Sequence, residues 1–125
     1  MWPSILAIFC GAGLGALLRA GFNFATVSIA STLPLGTFIS NMVGGYVVGI
    51  AVAFFASNPS LSPEWKLFVI TGFLGGLTTF SSFSVEVVGF MQRGEVTWAL
   101  GTALLHLAGS LALTFLGIMT YQALK

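Results

Sequence analysis

The sequence predicts an all-α membrane protein with four transmembrane helices, the third of which is broken. Hydrophobic residues make up 57% of the 125-residue chain and charged residues only 6%, against about 25% charged in a typical soluble domain. So few charges cannot cover a water-soluble core, which excludes a soluble globular protein and a disordered segment. A net charge of +1 offers no basic surface to a phosphate backbone, so nucleic acid is not an expected partner.

Four apolar segments are long enough to cross the membrane, since a helix needs about 20 residues to span the hydrocarbon. Residues 1–125 therefore form a single four-helix transmembrane domain. The spans are predicted at about 4–24, 36–56, 65–92 and 96–123. Helix-breaking residues separate them at Ser31–Pro34, Ser57–Glu64 and Gln92–Glu95. Within the second of these segments, Ser62-Pro63-Glu64 is typical of a helix start.

The positive charges leave the orientation in the membrane open. An even number of spans places both termini on one side, which carries Lys66 and Lys125. The other side carries Arg93 and, if it counts as near the span end, Arg19. Two against two gives almost no orientation bias. Either the protein inserts one way, or it inserts both ways and pairs with its own inverted copy.

Glycine pairs indicate close helix contacts. Gly11 and Gly15 lie four residues apart in the first span, as do Gly45 and Gly49 in the second. Such pairs let helix backbones touch, but the spacing does not distinguish contacts within a chain from contacts between chains. Four helices are too few to enclose a pore comfortably, so a function at mid-membrane indicates an oligomer. The single cysteine, Cys10, is expected to be buried and inert.

Polar side chains repeat along the fourth and second spans. The fourth carries four of them at every fourth position, which places them on one stripe of the helix: Thr102, His106, Ser110 and Thr114. This favours a polar track over the alternative of hydroxyl groups bonded to carbonyls of their own helix. For His106 itself, a histidine satisfied by packing is favoured over a proton relay or ligand.

The second span carries Thr37 and Asn41 at the same spacing. An asparagine in a membrane helix either joins helices or offers its NH₂ group to an anion as a neutral donor. The sequence leaves the two possibilities open.

The third span is poor helix material at mid-membrane depth. Gly72, Gly75 and Gly76 lie within five positions, and five hydroxyl side chains follow within residues 78–84. A broken helix is tolerated in a membrane only where the break is buried in protein or lines a wet cavity. Its freed carbonyls can bind a hard cation, and the N-terminus of the second half can attract an anion. The alternative is a continuous helix with packing glycines.

Two phenylalanines and two charges complete the candidates. Phe80 and Phe83 interleave with serines, and the positive edge of an aromatic ring can face an anion without a full charge. The alternative for both is an ordinary lipid-facing or core position. Arg19 and Glu86 fall within the hydrocarbon, where ionisable groups are functional by default. A structural ion pair or a snorkelling Arg19 is the competing explanation.

Two segments carry a resemblance to a known family. They are Gly36-Thr37-Phe38-Ile39-Ser40-Asn41 and, above all, the run from Gly72 to Ser84, which reads Gly-Phe-Leu-Gly-Gly-Leu-Thr-Thr-Phe-Ser-Ser-Phe-Ser. Together with the four short spans, they make the whole chain resemble the CrcB family of fluoride channels, also called Fluc.

The resemblance implies an antiparallel, dual-topology homodimer in the cell (inner or plasma) membrane. Its two separate pores would export toxic fluoride passively from the cytoplasm. A central sodium ion at the dimer interface would be held by the backbone carbonyls of Gly75 and Thr78 from each subunit. The residues expected at the pore are Thr37, Asn41, Thr79, Phe80, Ser81, Phe83, His106, Ser110 and Thr114, with Glu86 beside it and Arg19 near an aqueous vestibule.

Other functions predict different features. A proton-coupled transporter resembling the small multidrug exporters would also have four short helices. Those exporters place an essential carboxylate in the first helix, where this chain has Arg19 and no acid. A non-transporting assembly subunit is a third possibility. An enzyme is not expected, because the chain has no paired carboxylates, no Asp and one His. One His and one Cys also argue against a transition-metal centre.

Overall fold

The computed structural model describes residues 1–29 and 34–125, and all regular secondary structure in these ranges is helical. The predicted breaker residues 31–33 lie outside the described part. The helices are α1 (Trp2–Thr26), α2 (Leu35–Ser57), α3 (Pro63–Lys66), the π-helix π1 (Leu67–Leu74), α4 (Gly75–Leu77), α5 (Phe80–Gln92) and α6 (Val96–Leu124).

The four predicted spans are confirmed. Trp2–Thr26, Leu35–Ser57, Pro63–Gln92 and Val96–Leu124 are each long and apolar enough to cross a membrane. The third span begins where its start signal predicted. Pro63 opens α3 directly after Ser62, which has an extended backbone, and the Ser62 hydroxyl donates to the Glu64 carboxylate.

The break in the third span is also confirmed, at Thr78 and Thr79. Both residues are extended, with φ/ψ of −87°/157° and −151°/115°. The last helical hydrogen bond of the first half runs from the Thr78 N–H to the Leu74 carbonyl, and helix resumes at Phe80. The first half of the span ends in the wider π1 segment and one further turn. The alternative of a continuous helix is therefore wrong.

Two pairs of parallel helices form the tightest contacts of the fold. Along α1, Gly11 and Gly15 face π1, where an added Cβ would collide with the carbonyl oxygens of Phe68 and Phe73. On α2, a Cβ at Gly49 would collide with the carbonyl oxygen of Thr114 on α6. These backbones touch because the glycines carry no side chain. The glycine pairs of the first two spans thus serve contacts within the chain.

The free Cys10 is exposed in the protomer, so the expectation of a buried thiol is wrong. Gly11, its neighbour, carries the face that packs on π1. Cys10 is turned about 100° from it around the helix, and therefore points away from the contact.

A tight turn folds α5 back against α6. Gly94 takes a positive φ of 77°, a conformation that costs glycine little. Arg93 and Glu95 form a salt bridge of 2.8 Å beside it, and Phe90 stacks on Trp98 at 6.2 Å between ring centroids. This antiparallel hairpin carries the aromatic residues after the break towards the polar stripe of α6.

Candidate functional site

The break is held open by a side chain from another helix. In an unbroken helix the N–H of Thr79 would bond to the carbonyl of Gly75. It donates instead to Asn41 Oδ1 at 2.8 Å, while Asn41 Nδ2 donates to the carbonyl of Thr79 at 3.2 Å. The Asn41 amide therefore pairs with Thr79 as a neighbouring strand would.

A second hydrogen bond is diverted on the other side of the break. The Ser82 N–H, which would reach the carbonyl of Thr78 in a continuous helix, bonds to Thr79 Oγ1 at 3.1 Å. Thr79 thus caps the N-terminus of α5, the role that Ser and Thr side chains commonly fill. Its hydroxyl also lies 3.3 Å from that of Ser81.

Arg19 closes the end of the first half-span. Its Nε donates to the carbonyl of Gly76 at 3.1 Å. In a continuous helix this oxygen would accept a hydrogen bond from the N–H of Phe80, which the break moves out of position. Arg19 is half-buried, and α1 brings it to the break because α1 and π1 run parallel. The structure thus places this intramembrane charge on the helix end itself.

Two further carbonyls lose their helical donors at the break. The N–H of Thr79, which would bond to the carbonyl of Gly75, goes to Asn41 Oδ1. The N–H of Ser82, which would bond to the carbonyl of Thr78, goes to Thr79 Oγ1. Gly75 and Thr78 also line a cavity beside the break. Carbonyl oxygens freed in this way suit a hard cation, so the chain fits the sodium ion that the resemblance implies.

His106 joins the break to α6. Its Nδ1 lies 3.3 Å from Asn41 Nδ2, and the residue is only 6% exposed. Its ring meets Phe38 edge-on, with centroids 5.2 Å apart, and lies at 4.6 Å and 33° to the ring of Phe83. The imidazole is therefore fixed by one polar contact and two aromatic ones.

The paired phenylalanines differ in burial. Phe80 and Phe83 have ring centroids 5.6 Å apart and planes inclined by 58°. Phe83 is half-buried against His106, whereas Phe80 is 78% exposed. Phe80 thus projects from the protomer beside the cavity.

An open cavity of about 420 Å³ runs along this region. Eight of the predicted site residues line it, namely Asn41, Gly75, Thr78, Thr79, Phe80, Phe83, His106 and Ser110. Sequence reasoning missed its apolar wall, formed by Val48, Ile70, Leu74 and Leu107. No signal marks these residues, because aliphatic side chains are common everywhere in the spans.

The remaining candidates lie off the described cavity lining. The Thr114 hydroxyl donates to the carbonyl of Gly45 at 2.9 Å, so it joins α6 to α2 instead of bonding to its own helix. Thr37 is buried and faces the Glu86 carboxyl group. Glu86 Oε1 is buried without a hydrogen-bond partner in the described part of the chain.

Comparison with protein families matches residues 6–118 to the family described as CrcB-like protein, Camphor Resistance (CrcB). The chain belongs to the CrcB family. With its four membrane-capable helices, this CrcB chain is a multi-pass membrane protein.

Individual relatives cover nearly the whole CrcB chain. A protein of Polynucleobacter asymbioticus named Fluoride-specific ion channel FluC is 78% identical over 125 residues, 100% of both chains. Proteins of the same name from Burkholderia thailandensis and Pseudomonas syringae pv. maculicola are 56% and 53% identical, each over 98% of this chain and 96% of the relative.

Proposed function

We propose that this protein is a fluoride-selective ion channel that exports fluoride passively from the cytoplasm across the inner membrane. The observation that carries the proposal is the 78% identity, over the full length of both chains, to a protein named as a fluoride-specific ion channel. The chemistry of the cavity supports it independently.

Fluoride is small and strongly hydrated, so a pore must replace its water with several neutral donors. Ser110, Phe80 and Phe83 line the cavity, and an aromatic ring has a positive edge. These groups favour an anion without a fixed positive charge that would hold it too tightly to conduct. Thr37, Ser81 and Thr114 continue the proposed path beyond the cavity, with Glu86 beside it and Arg19 near its mouth.

Asn41 enters this path under a constraint. Both hydrogens of its amide already face acceptors, the carbonyl of Thr79 and Nδ1 of His106. An anion at Asn41 therefore takes the place of one of them. The pairing with Thr79 uses both the oxygen and the nitrogen of the Asn41 amide, whereas the contact with His106 uses only the nitrogen. An anion therefore replaces His106 at a lower free-energy cost than Thr79.

The channel is proposed to be an antiparallel homodimer with two pores. A single protomer leaves the cavity open on one side and Phe80 78% exposed beside it. A second copy covering this face would enclose the route and bury the ring. The near balance of positive charges, Lys66 and Lys125 against Arg93 and Arg19, favours insertion in both orientations.

A sodium ion is proposed at the centre of that dimer, held by the Gly75 and Thr78 carbonyls of both subunits. Support comes from the diversion of the N–H groups that would otherwise bond to these two oxygens. When bound, the ion would supply positive charge that stabilises the two breaks against each other.

The test is fluoride efflux from liposomes containing the purified protein, with chloride as the control ion. We expect passive fluoride flux far above about 10³ ions per second, the upper end of typical turnover numbers, and little chloride flux. The flux should persist without a pH gradient. Strict coupling to protons would indicate an exporter instead, and absence of flux would indicate a non-transporting subunit.

A further inference from the structure

The backbone of Thr79 determines which way the Asn41 amide points. The Thr79 N–H requires an oxygen opposite it, and the Thr79 carbonyl requires an N–H. These two bonds, at 2.8 and 3.2 Å, are satisfied together in only one orientation of the amide. A flipped amide would set oxygen against oxygen and N–H against N–H, leaving buried groups unpaired.

This orientation in turn determines the state of His106. Asn41 Nδ2 lies 3.3 Å from His106 Nδ1, and an amide nitrogen only donates. Nδ1 must therefore present a lone pair. The imidazole is neutral with its proton on Nε2, since a neutral ring carries one N–H.

The ring cannot easily turn to escape this pairing. Phe38 meets it edge-on at 5.2 Å, and Phe83 lies against it at 4.6 Å. Only 6% of the residue is exposed, so water cannot readily replace a lost contact. A flip of the ring would move Nδ1 away from Asn41 and leave the second hydrogen of the Asn41 amide without an acceptor.

We propose that His106 is a positioning residue. Its neutral Nδ1 holds the Asn41 amide in register with Thr79, and Asn41 in turn keeps the backbone between α4 and α5 extended. The contacts join Asn41 on α2 to the break, 38 residues away in sequence, and to His106 on α6, 65 residues away. Only the effect on fluoride flux rests on the proposed function.

The first test needs no substitution. The chain contains one His, so labelling the protein with ¹⁵N-histidine gives signals from a single imidazole. In detergent at neutral pH we expect a protonated Nε2 and an unprotonated, hydrogen-bonded Nδ1. A proton on Nδ1, whether in the other tautomer or in an imidazolium ion, would overturn the proposal.

Substitutions then test the coupling to the break. Asn41→Leu should move the Nδ1 signal to that of a nitrogen without a hydrogen bond, whereas Asn58→Leu, in the exposed turn after α2, should leave it in place. An unchanged Nδ1 signal in Asn41→Leu contradicts the pairing.

A final comparison uses the two amides that mimic the two ring nitrogens. Asparagine at position 106 places an acceptor near Nδ1, whereas glutamine reaches towards Nε2. Hydrogen exchange of the Thr79 amide should stay slow in His106→Asn and rise about five-fold in His106→Gln and His106→Leu, the effect of losing one neutral hydrogen bond. Equal exchange rates of the Thr79 amide in all three variants would refute the positioning role, whatever the fluoride flux.

The two proposals can fail separately. If the wild-type imidazole carries its proton on Nε2 but the protein conducts no fluoride, the channel proposal is refuted and the positioning role of His106 stands.

Discussion

The Nε of Arg19 donates a hydrogen bond to the carbonyl oxygen of Gly76, 57 residues further along the chain, at 3.1 Å. The bond joins a charge in the C-terminal part of α1 to the last turn before the break. The break deprives this carbonyl of its usual helical donor. The hydrogen bond from Arg19 replaces that donor, which offsets part of the free-energy cost of placing a guanidinium group within a membrane span.

Removing this bond should destabilise the protein. Arg19→Gln is expected to lower the free energy of unfolding by about 2 kcal/mol, the range for hydrogen bonds to charged groups. The measurement is denaturant-induced unfolding in detergent. Arg93→Gln is the matched control, because its exposed salt bridge with Glu95 contributes at most about 1 kcal/mol. Equal losses in the two variants would remove the special role of Arg19.

The glycines of α1 offer a matched pair of substitutions. In Gly15→Ala the added methyl would collide with the carbonyl of Phe73, whereas Gly13 has nothing within 4 Å. We expect Gly15→Ala to cost about 1–3 kcal/mol or more through overpacking, and Gly13→Ala to be neutral or stabilising by helix propensity. Thermal unfolding of both variants checks this. A tolerated Gly15→Ala would mean that α1 and π1 are less closely packed than described.

Phe80→Ile should abolish fluoride flux without dissolving the fold. Isoleucine keeps an apolar side chain but loses the positive ring edge that can face an anion. Liposome efflux provides the measurement, and Phe115→Ile is the control, since Phe115 is also exposed but lies on α6 outside the cavity lining. Wild-type flux in Phe80→Ile would take this ring out of the mechanism.

Asn41→Asp should block fluoride flux. A carboxylate in the path repels anions, and it can no longer donate to the carbonyl of Thr79 or to His106. Efflux assays at neutral pH test the prediction, with Asn58→Asp as the control for a new negative charge outside the cavity. Retained flux would contradict a position for Asn41 on the pore.

Replacing sodium by N-methylglucamine should lower fluoride flux and the unfolding temperature together. A cation bound only by the folded dimer stabilises it by mass action, and N-methylglucamine is too large for a site formed by the carbonyls of Gly75 and Thr78. Potassium serves as an intermediate-sized comparison. Indifference of both flux and unfolding to the cation would argue against the site.

Hydropathy and length were sufficient to predict the spans, because a membrane imposes its thickness on every helix that crosses it. The position of the break was predicted less well. The glycines were its expected cause, yet Gly75 and Gly76 are still helical. Gly72 and Gly76 pack against the backbone of α1 at Ile8 and Ala12. The extended residues are the two threonines that follow.

The partners of the polar groups could not be predicted from spacing along one helix. Asn41 was expected either to join helices or to donate to an anion, and it joins α2 to Thr79 and to His106. These contacts depend on which helices lie side by side. Helical periodicity indicates that a residue lies on a given face, but it does not identify the helix opposite. Four successive spans make α1 and π1 run in the same direction, but no local signal indicated that they pack against each other.

The parallel pairing has a consequence for biosynthesis. The glycines of α1 pack against the third span, and those of α2 pack against the fourth. Neither contact can form when only the first two helices have left the ribosome. The glycine-lined faces of α1 and α2 therefore stay exposed to lipid until the third and fourth spans are inserted, late in translation. A nascent chain stalled after Ser57 would therefore carry both surfaces unmatched, open to premature association with other membrane helices.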